Sequence, residues 1–146
     1  MSGDEMGDLH LEICPTKSRY GVEDDVPLRV LLFNFGDEPV TVNARFAVGA
    51  SHGPGELLFS VTAPSGETLP FGARVNIGYP QRDDFATIQP FACVGKLIDL
   101  VDYFPLSEPG TYLIEVQYRS RPGGEDSPPG AWTGTLQSDS VTIELE

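Results

Sequence analysis

Between residues 111 and 119 the side chains change character at every step. Tyr112, Ile114, Val116 and Tyr118 share one parity, and Leu113, Glu115, Gln117 and Arg119 share the other. Successive side chains of an extended chain point to opposite faces, whereas a helix repeats every ~3.6 residues, so this segment buries one side of itself only as a strand. The pattern recurs with Val141, Ile143 and Leu145 against Ser140, Thr142 and Glu144. It recurs again with Val40, Val42, Ala44 and Phe46 against Thr41, Asn43 and Arg45, and with Leu57, Phe59, Val61 and Ala63 around Leu58, Ser60 and Thr62. Residues 28–35 are apolar on both faces in their middle, as expected of a central strand. Residues 9–13 supply an opening edge strand, and parts of 74–77 and 85–94 supply weaker ones.

Between these runs lie turn-forming strings: Gly36-Asp37-Glu38-Pro39, Pro64-Ser65-Gly66 and Glu108-Pro109-Gly110. Such punctuation, with 16 Gly and 13 Pro in the chain, is the spacing expected of a sandwich or barrel. Only residues 97–104 carry helical spacing, with Leu97, Leu100, Val101 and Phe104 at i, i+3, i+4 and i+7, which predicts one short helical turn across an end of the sandwich. The expectation is an all-β, antiparallel sandwich of about seven to nine strands.

A length of 146 residues suits one domain with one core, burying roughly two thirds of the unfolded chain's surface. Residues 1–8 are expected to be loosely ordered and 9–146 to form the single domain. The polar insert 120–130 cannot pack a core and is expected to be a mobile hairpin loop before Trp132. It is no linker, because the strands on either side of it need each other to bury their apolar faces.

The net charge of -13, from 22 acidic against 9 basic residues, disfavours nucleic acid, whose affinity depends on neutralising phosphates. The acids are scattered in ones and twos, which reads as solubility, or as complementarity to a basic partner. No apolar stretch reaches the ~20 residues needed to cross a bilayer, and the acidic, polar start lacks a signal peptide's basic and apolar runs. Residence in the cytoplasm is the expectation, although an exported domain restarted at a Met would read the same. Cys14 and Cys93 are too few for a structural zinc site and form one bridge or none. Cys14 shares a parity with His10 and Glu12, opposite Leu9, Leu11 and Ile13, which favours free thiols.

Three longer strings carry a resemblance. They are Val26-Pro27-Leu28-Arg29-Val30-Leu31-Leu32-Phe33-Asn34-Phe35-Gly36, then Leu106-Ser107-Glu108-Pro109-Gly110-Thr111-Tyr112 with Tyr118, then Trp132-Thr133-Gly134-Thr135-Leu136-Gln137-Ser138 with Val141 and Ile143. Together they resemble bacterial immunoglobulin-like and fibronectin-type sandwich domains, including peptidase-accessory domains and the intracellular proteinase-inhibitor type. The resemblance implies an immunoglobulin-like sandwich in which Tyr112 packs its ring in the core and gives its hydroxyl to an upstream carbonyl, a tyrosine corner. Antibody domains also bridge their second and sixth strands by a disulfide, and this chain has no cysteine in either.

The strings that resemble catalytic patterns lack the context those patterns need. Gly49-Ala50-Ser51-His52-Gly53 fits G-x-S-x-G, but Pro54 and Gly55 break the helix an elbow needs, and the two histidines, His10 and His52, leave no later triad base. The same two exclude a three-histidine zinc site. Calcium has oxygen donors in the pairs Asp24 with Asp25, Asp83 with Asp84, and Asp99 with Asp102, none in the loop spacing of an EF-hand. Phosphate-cradling loops are absent, since Gly123-Gly124 runs into Glu125 and Asp126. No catalytic, cofactor or metal residue is assigned, and the chain is read as a non-enzyme.

Surface recognition remains. Trp132, Tyr79 and Tyr20 are large rings outside the obvious core strands, and with His52 they are the candidate interface residues. The competing reading of Trp132 is that it caps the core. The first function expected is a non-catalytic protein-binding or assembly module acting through loops or a sheet edge. The alternatives are an inhibitor of an intracellular peptidase, inserting residues 119–131 or 49–57, and a calcium-dependent adhesive or carbohydrate-binding domain.

Overall fold

The longest alternating run becomes the longest strand, because its four inward side chains, Tyr112, Ile114, Val116 and Tyr118, are almost wholly buried while its other parity stays wet. The computed structural model describes residues 8–49, 55–72, 81–120 and 128–146. Among these, ten strands follow in order: β1 (Leu9–Pro15), β2 (Arg19–Tyr20), β3 (Pro27–Asn34), β4 (Val40–Asn43), β5 (Leu57–Thr62), β6 (Phe85–Ile88), β7 (Cys93–Asp99), β8 (Gly110–Ser120), β9 (Gly134–Gln137) and β10 (Val141–Leu145). Single 3-10 turns span Arg82–Asp84 and Leu100–Asp102. The expected strand at 74–77 lies outside the described residues.

The molecule is an all-β sandwich. One layer has the order β1-β3-β7, antiparallel throughout. The other has the order β2-β10-β8-β5, with β9 also pairing β8, and β4 and β6 form a separate two-stranded ribbon. The core lies between the layers, where Leu9, Leu11 and Ile13 of β1 and Leu28, Val30 and Leu32 of β3 join Leu57, Val61, Ile114, Val116 and Ile143. Each buried side chain of this size is worth about 1.5–3 kcal/mol, so the alternation of these strands specifies their register.

Tyr112 makes the corner its position suggests. Its hydroxyl donates to the Glu108 carbonyl oxygen at 2.6 Å, and the Glu108 amide donates to that hydroxyl at 3.1 Å. The side chain of Asn34, fully buried, plays a comparable part after β3, donating to the carbonyls of Glu38 and Ile88 and accepting from the Gly36 amide.

The structure corrects four details. The strand count is ten among the described residues, because the two-residue β2 pairs in parallel with β10. Helical spacing over 97–104 yields only the turn Leu100–Asp102: Leu97 and Ile98 are held extended opposite Arg29 and Leu28, and Asp99 starts the turn by accepting the Val101 amide. The alternation through Phe46 ends early, because Asn43 Oδ1 accepts the Arg45 amide and Phe46 adopts a left-handed φ of 50° to bury its ring against Tyr118. Residues 85–94 divide into β6, a turn, and the start of β7. Among the described residues no helix is long and apolar enough to cross a membrane.

Candidate functional site

A strand that is apolar on both faces needs a cover on both, and among the described residues β3 is fully covered on its inner side only, with Leu31 and Phe33 half-buried on the other. Its outward side chains are Arg29, Leu31 and Phe33, continued by Phe35 beyond the strand end. Antiparallel pairing sets His10, Glu12 and Cys14 of β1 opposite Phe33, Leu31 and Arg29, and sets Cys93, Gly95 and Leu97 of β7 opposite the same three. The outer face of this layer is thus mixed, with Leu31, Phe33, Phe35 and Leu97 among the polar side chains of His10, Glu12 and Arg29. Phe33 and Phe35 stack with ring centres 5.6 Å apart and planes within 2°, and His10 meets the Phe35 ring edge-on at 4.9 Å. Among the described residues the exposed large hydrophobic side chains are Phe35, Phe91, Leu97 and Leu113, and the first three sit on or beside this face. Phe35 and Phe91 lie near one end of this face and Leu97, opposite Arg29, toward the other.

Gly95 makes the face flat. A Cβ there would run into Leu31 Cδ2 and stand 2.7 Å from the Val30 carbonyl oxygen, so the missing side chain is the space in which Leu31 lies across β7. Phe91, in the turn before β7, is 76% exposed and left-handed at φ 62°. Its amide donates to the Asn34 carbonyl at 2.7 Å, which fixes the turn beside Phe35. An exposed apolar side chain on a backbone conformation that costs about 1–3 kcal/mol is retained at a site more readily than in a scaffold.

The two rims of this layer are strand edges. Asn34 donates to the Ala92 carbonyl and Phe35 to the Asp8 carbonyl, so even-numbered residues of β3 face β7 and odd-numbered ones face β1. It follows that the amides and carbonyls of Cys93, Gly95 and Leu97 point away from β3, and no strand among the described residues pairs with them. On β1 the outward groups belong to Leu9, Leu11 and Ile13, whose side chains are buried. A cleft lies beside each of these strands. One, of about 230 Å³, runs past residues 9–12 and faces Leu136, Gln137 and Asp139. The other, of about 420 Å³, lies at the end of β7 and is lined by residues 96–99 with Asp25, Pro27, Asp102 and Tyr103.

Carboxylates gather at that end of β7. Repulsion from Asp99, then a hydrogen bond with Asp99, lift the Asp25 carboxyl above its ordinary 3.8, and Asp102 and Asp24 add to the repulsion. Asp99 is committed to the fold: its Oδ1 accepts the Val26 amide at 2.9 Å and the Val101 amide at 3.3 Å. Asp24 similarly accepts the Gly21 amide, and Asp84 the Gln81 amide. Among the described residues no three such groups are placed to hold a metal ion.

No protein-family model matches the chain, and no curated protein matches it.

Of the candidate residues named from sequence, Tyr20 and Trp132 fall among the described residues. Tyr20 lies in the core at 3% exposure, its hydroxyl donating to the Pro27 carbonyl and accepting from the Lys17 amide. Its acidic surroundings in sequence concealed that β2 joins the sheet beside β10 and turns the ring inward. Trp132 is half-buried, stacked on Tyr118 at 5.9 Å, with its amide bonded to the Thr41 carbonyl, and it covers that part of the core. Its ring leaves room for no side chain at Gly134, where φ is +145° and a Cβ would lie 3.0 Å from it. Tyr79 and His52, with most of the G-x-S-x-G string, lie outside the described residues, as does most of the insert 120–130. Cys14 and Cys93 are free thiols. The one signal that pointed to the outer face, the doubly apolar β3, reads in sequence as a strand covered on both sides.

Proposed function

We propose that this chain is a non-catalytic binding module that takes up an extended segment of another protein along the β7 edge and the apolar face beside it. The observation that carries the reading is the row of outward amides and carbonyls at Cys93, Gly95 and Leu97, next to the exposed side chains of Leu97, Phe35 and Phe91. Backbone groups at an open edge supply hydrogen bonds to an added strand, and alternate pockets supply selectivity. The tyrosine corner at Tyr112 supports placing the sandwich with immunoglobulin-like domains.

The test is affinity capture from the native source with the natural chain and with a Phe35→Ser, Leu97→Lys double variant, compared after both are shown to melt cooperatively. A partner enriched by the natural chain and lost from the variant is the expected outcome. Equal recovery on both would remove the face and edge from the function.

A further inference from the structure

The two open edges differ in what they present. At β1 the outward backbone groups belong to residues whose side chains are in the core, and the narrower cleft beside them is already faced by Leu136, Gln137 and Asp139. At β7 the corresponding residues, Cys93, Gly95 and Leu97, are themselves exposed, and the cleft is the larger of the two. Among the described residues, an added strand therefore meets fewer obstacles at β7 than at β1.

The charge around β7 is uneven. At its far end Asp25, Asp99 and Asp102 border the cleft, opposed there by Lys96, whose Nζ reaches the Arg45 carbonyl at 3.4 Å. Arg29 stands opposite Leu97 on the outer face. The carboxylates outnumber the single ammonium in the cleft, and Asp25 already holds its proton more tightly than an isolated aspartate because its neighbours repel its charge. An arriving cation relieves that repulsion, whereas an arriving anion adds to it, on a chain already at -13.

We propose that the β7 edge selects an extended segment in which apolar residues alternate with lysine or arginine, the apolar ones lying on the face of Leu31, Phe33 and Leu97 and a cationic one reaching the carboxylates at the end of the strand. This rests on the edge reading given above. Asp25 and Asp102 are the carboxylates to vary, because Asp99 also caps Val26 and Val101 and its loss would disturb the fold.

Three synthetic octapeptides test it against the intact chain by amide chemical shifts and titration: alternating valine and lysine, alternating valine and glutamate, and the lysine peptide N-methylated at alternate residues so that it cannot pair. The expected result is that the lysine peptide shifts the amides of Cys93, Gly95 and Leu97 and binds about threefold to fivefold more weakly to Asp25→Asn, Asp102→Asn protein or on raising salt from about 0.05 to 0.5 M. Equal binding of the glutamate peptide would overturn the charge preference and leave the edge reading standing. Equal binding of the N-methylated peptide, shifts at Leu9, Leu11 and Ile13 instead, or no β7 shift with any peptide would overturn the edge itself.

Discussion

Tyr112 and Glu108 close a two-bond ring: the phenol donates to the Glu108 carbonyl and accepts from the Glu108 amide. The Tyr112 side chain is thereby both a core residue, 1% exposed, and the clamp on the turn that starts β8. Burial raises its pKa, which keeps the hydroxyl protonated and able to donate. Tyr112→Phe keeps the ring and loses both bonds, leaving the Glu108 amide and carbonyl without their partner. A loss of about 1–3 kcal/mol is expected in urea unfolding with the slope unchanged.

Gly95→Ala probes the flatness of the outer face. Its Cβ meets Leu31 and the Val30 carbonyl, one of which is movable and the other fixed in the ladder. Destabilisation of about 1–3 kcal/mol follows. Adding Leu31→Ala removes the movable clash alone, so the double variant is expected to be less than additive in a denaturant cycle.

The pair Arg45 and Glu56 ties the segment after β4 to the start of β5. Arg45 Nη2 stands 2.7 Å from Glu56 Oε2, and Glu56 Oε1 also accepts from Arg45 Nε and the Ala47 amide at 3.0 Å. The Glu56 carboxylate is 6% exposed, and its hydrogen bond is the first cause of the raised Arg45 pKa. Glu56→Ala leaves a guanidinium and an amide short of an acceptor and is expected to lower stability by about 2–4 kcal/mol in thermal unfolding. Loss at the two exposed contacts of Arg19, with Glu144 and Glu146, is expected to be under about 0.5 kcal/mol.

Asp25 gives a pH signature. Its folded-state pKa lies above the unfolded reference of 3.8, so the folded chain binds more protons than the unfolded one in that window. Stability attributable to this group is present at low pH and is lost as pH rises from about 4 through the folded pKa. Asp25→Asn is expected to flatten that fall and to leave the chain no less stable at pH 7, read from melting temperatures at stepped pH beside carboxyl titration by NMR. A variant that melts lower at pH 7 would contradict it.

Much of the sandwich is legible in sequence because its signal is local. The parity of Tyr112, Ile114, Val116 and Tyr118 reports burial directly, and so does that of Val141, Ile143 and Leu145. The candidate site was not legible for a matching reason: the double apolarity of Leu31, Leu32 and Phe33 is identical whether or not something lies over the outer face. Tyr20 was misplaced because the pairing that turns it inward joins it to a strand more than a hundred residues away.

The sequence alone determined that this chain is built of strands and which side of most of them is dry. Only the tertiary structure decided that Leu97 is extended, that Trp132 lies over the core beside Tyr118, and that β7 ends its sheet unpaired among the described residues. The reason is physical: alternation fixes which side of a strand seeks burial, while the order of strands, and hence which edge and which face remain open, depends on long-range pairing that no local pattern encodes.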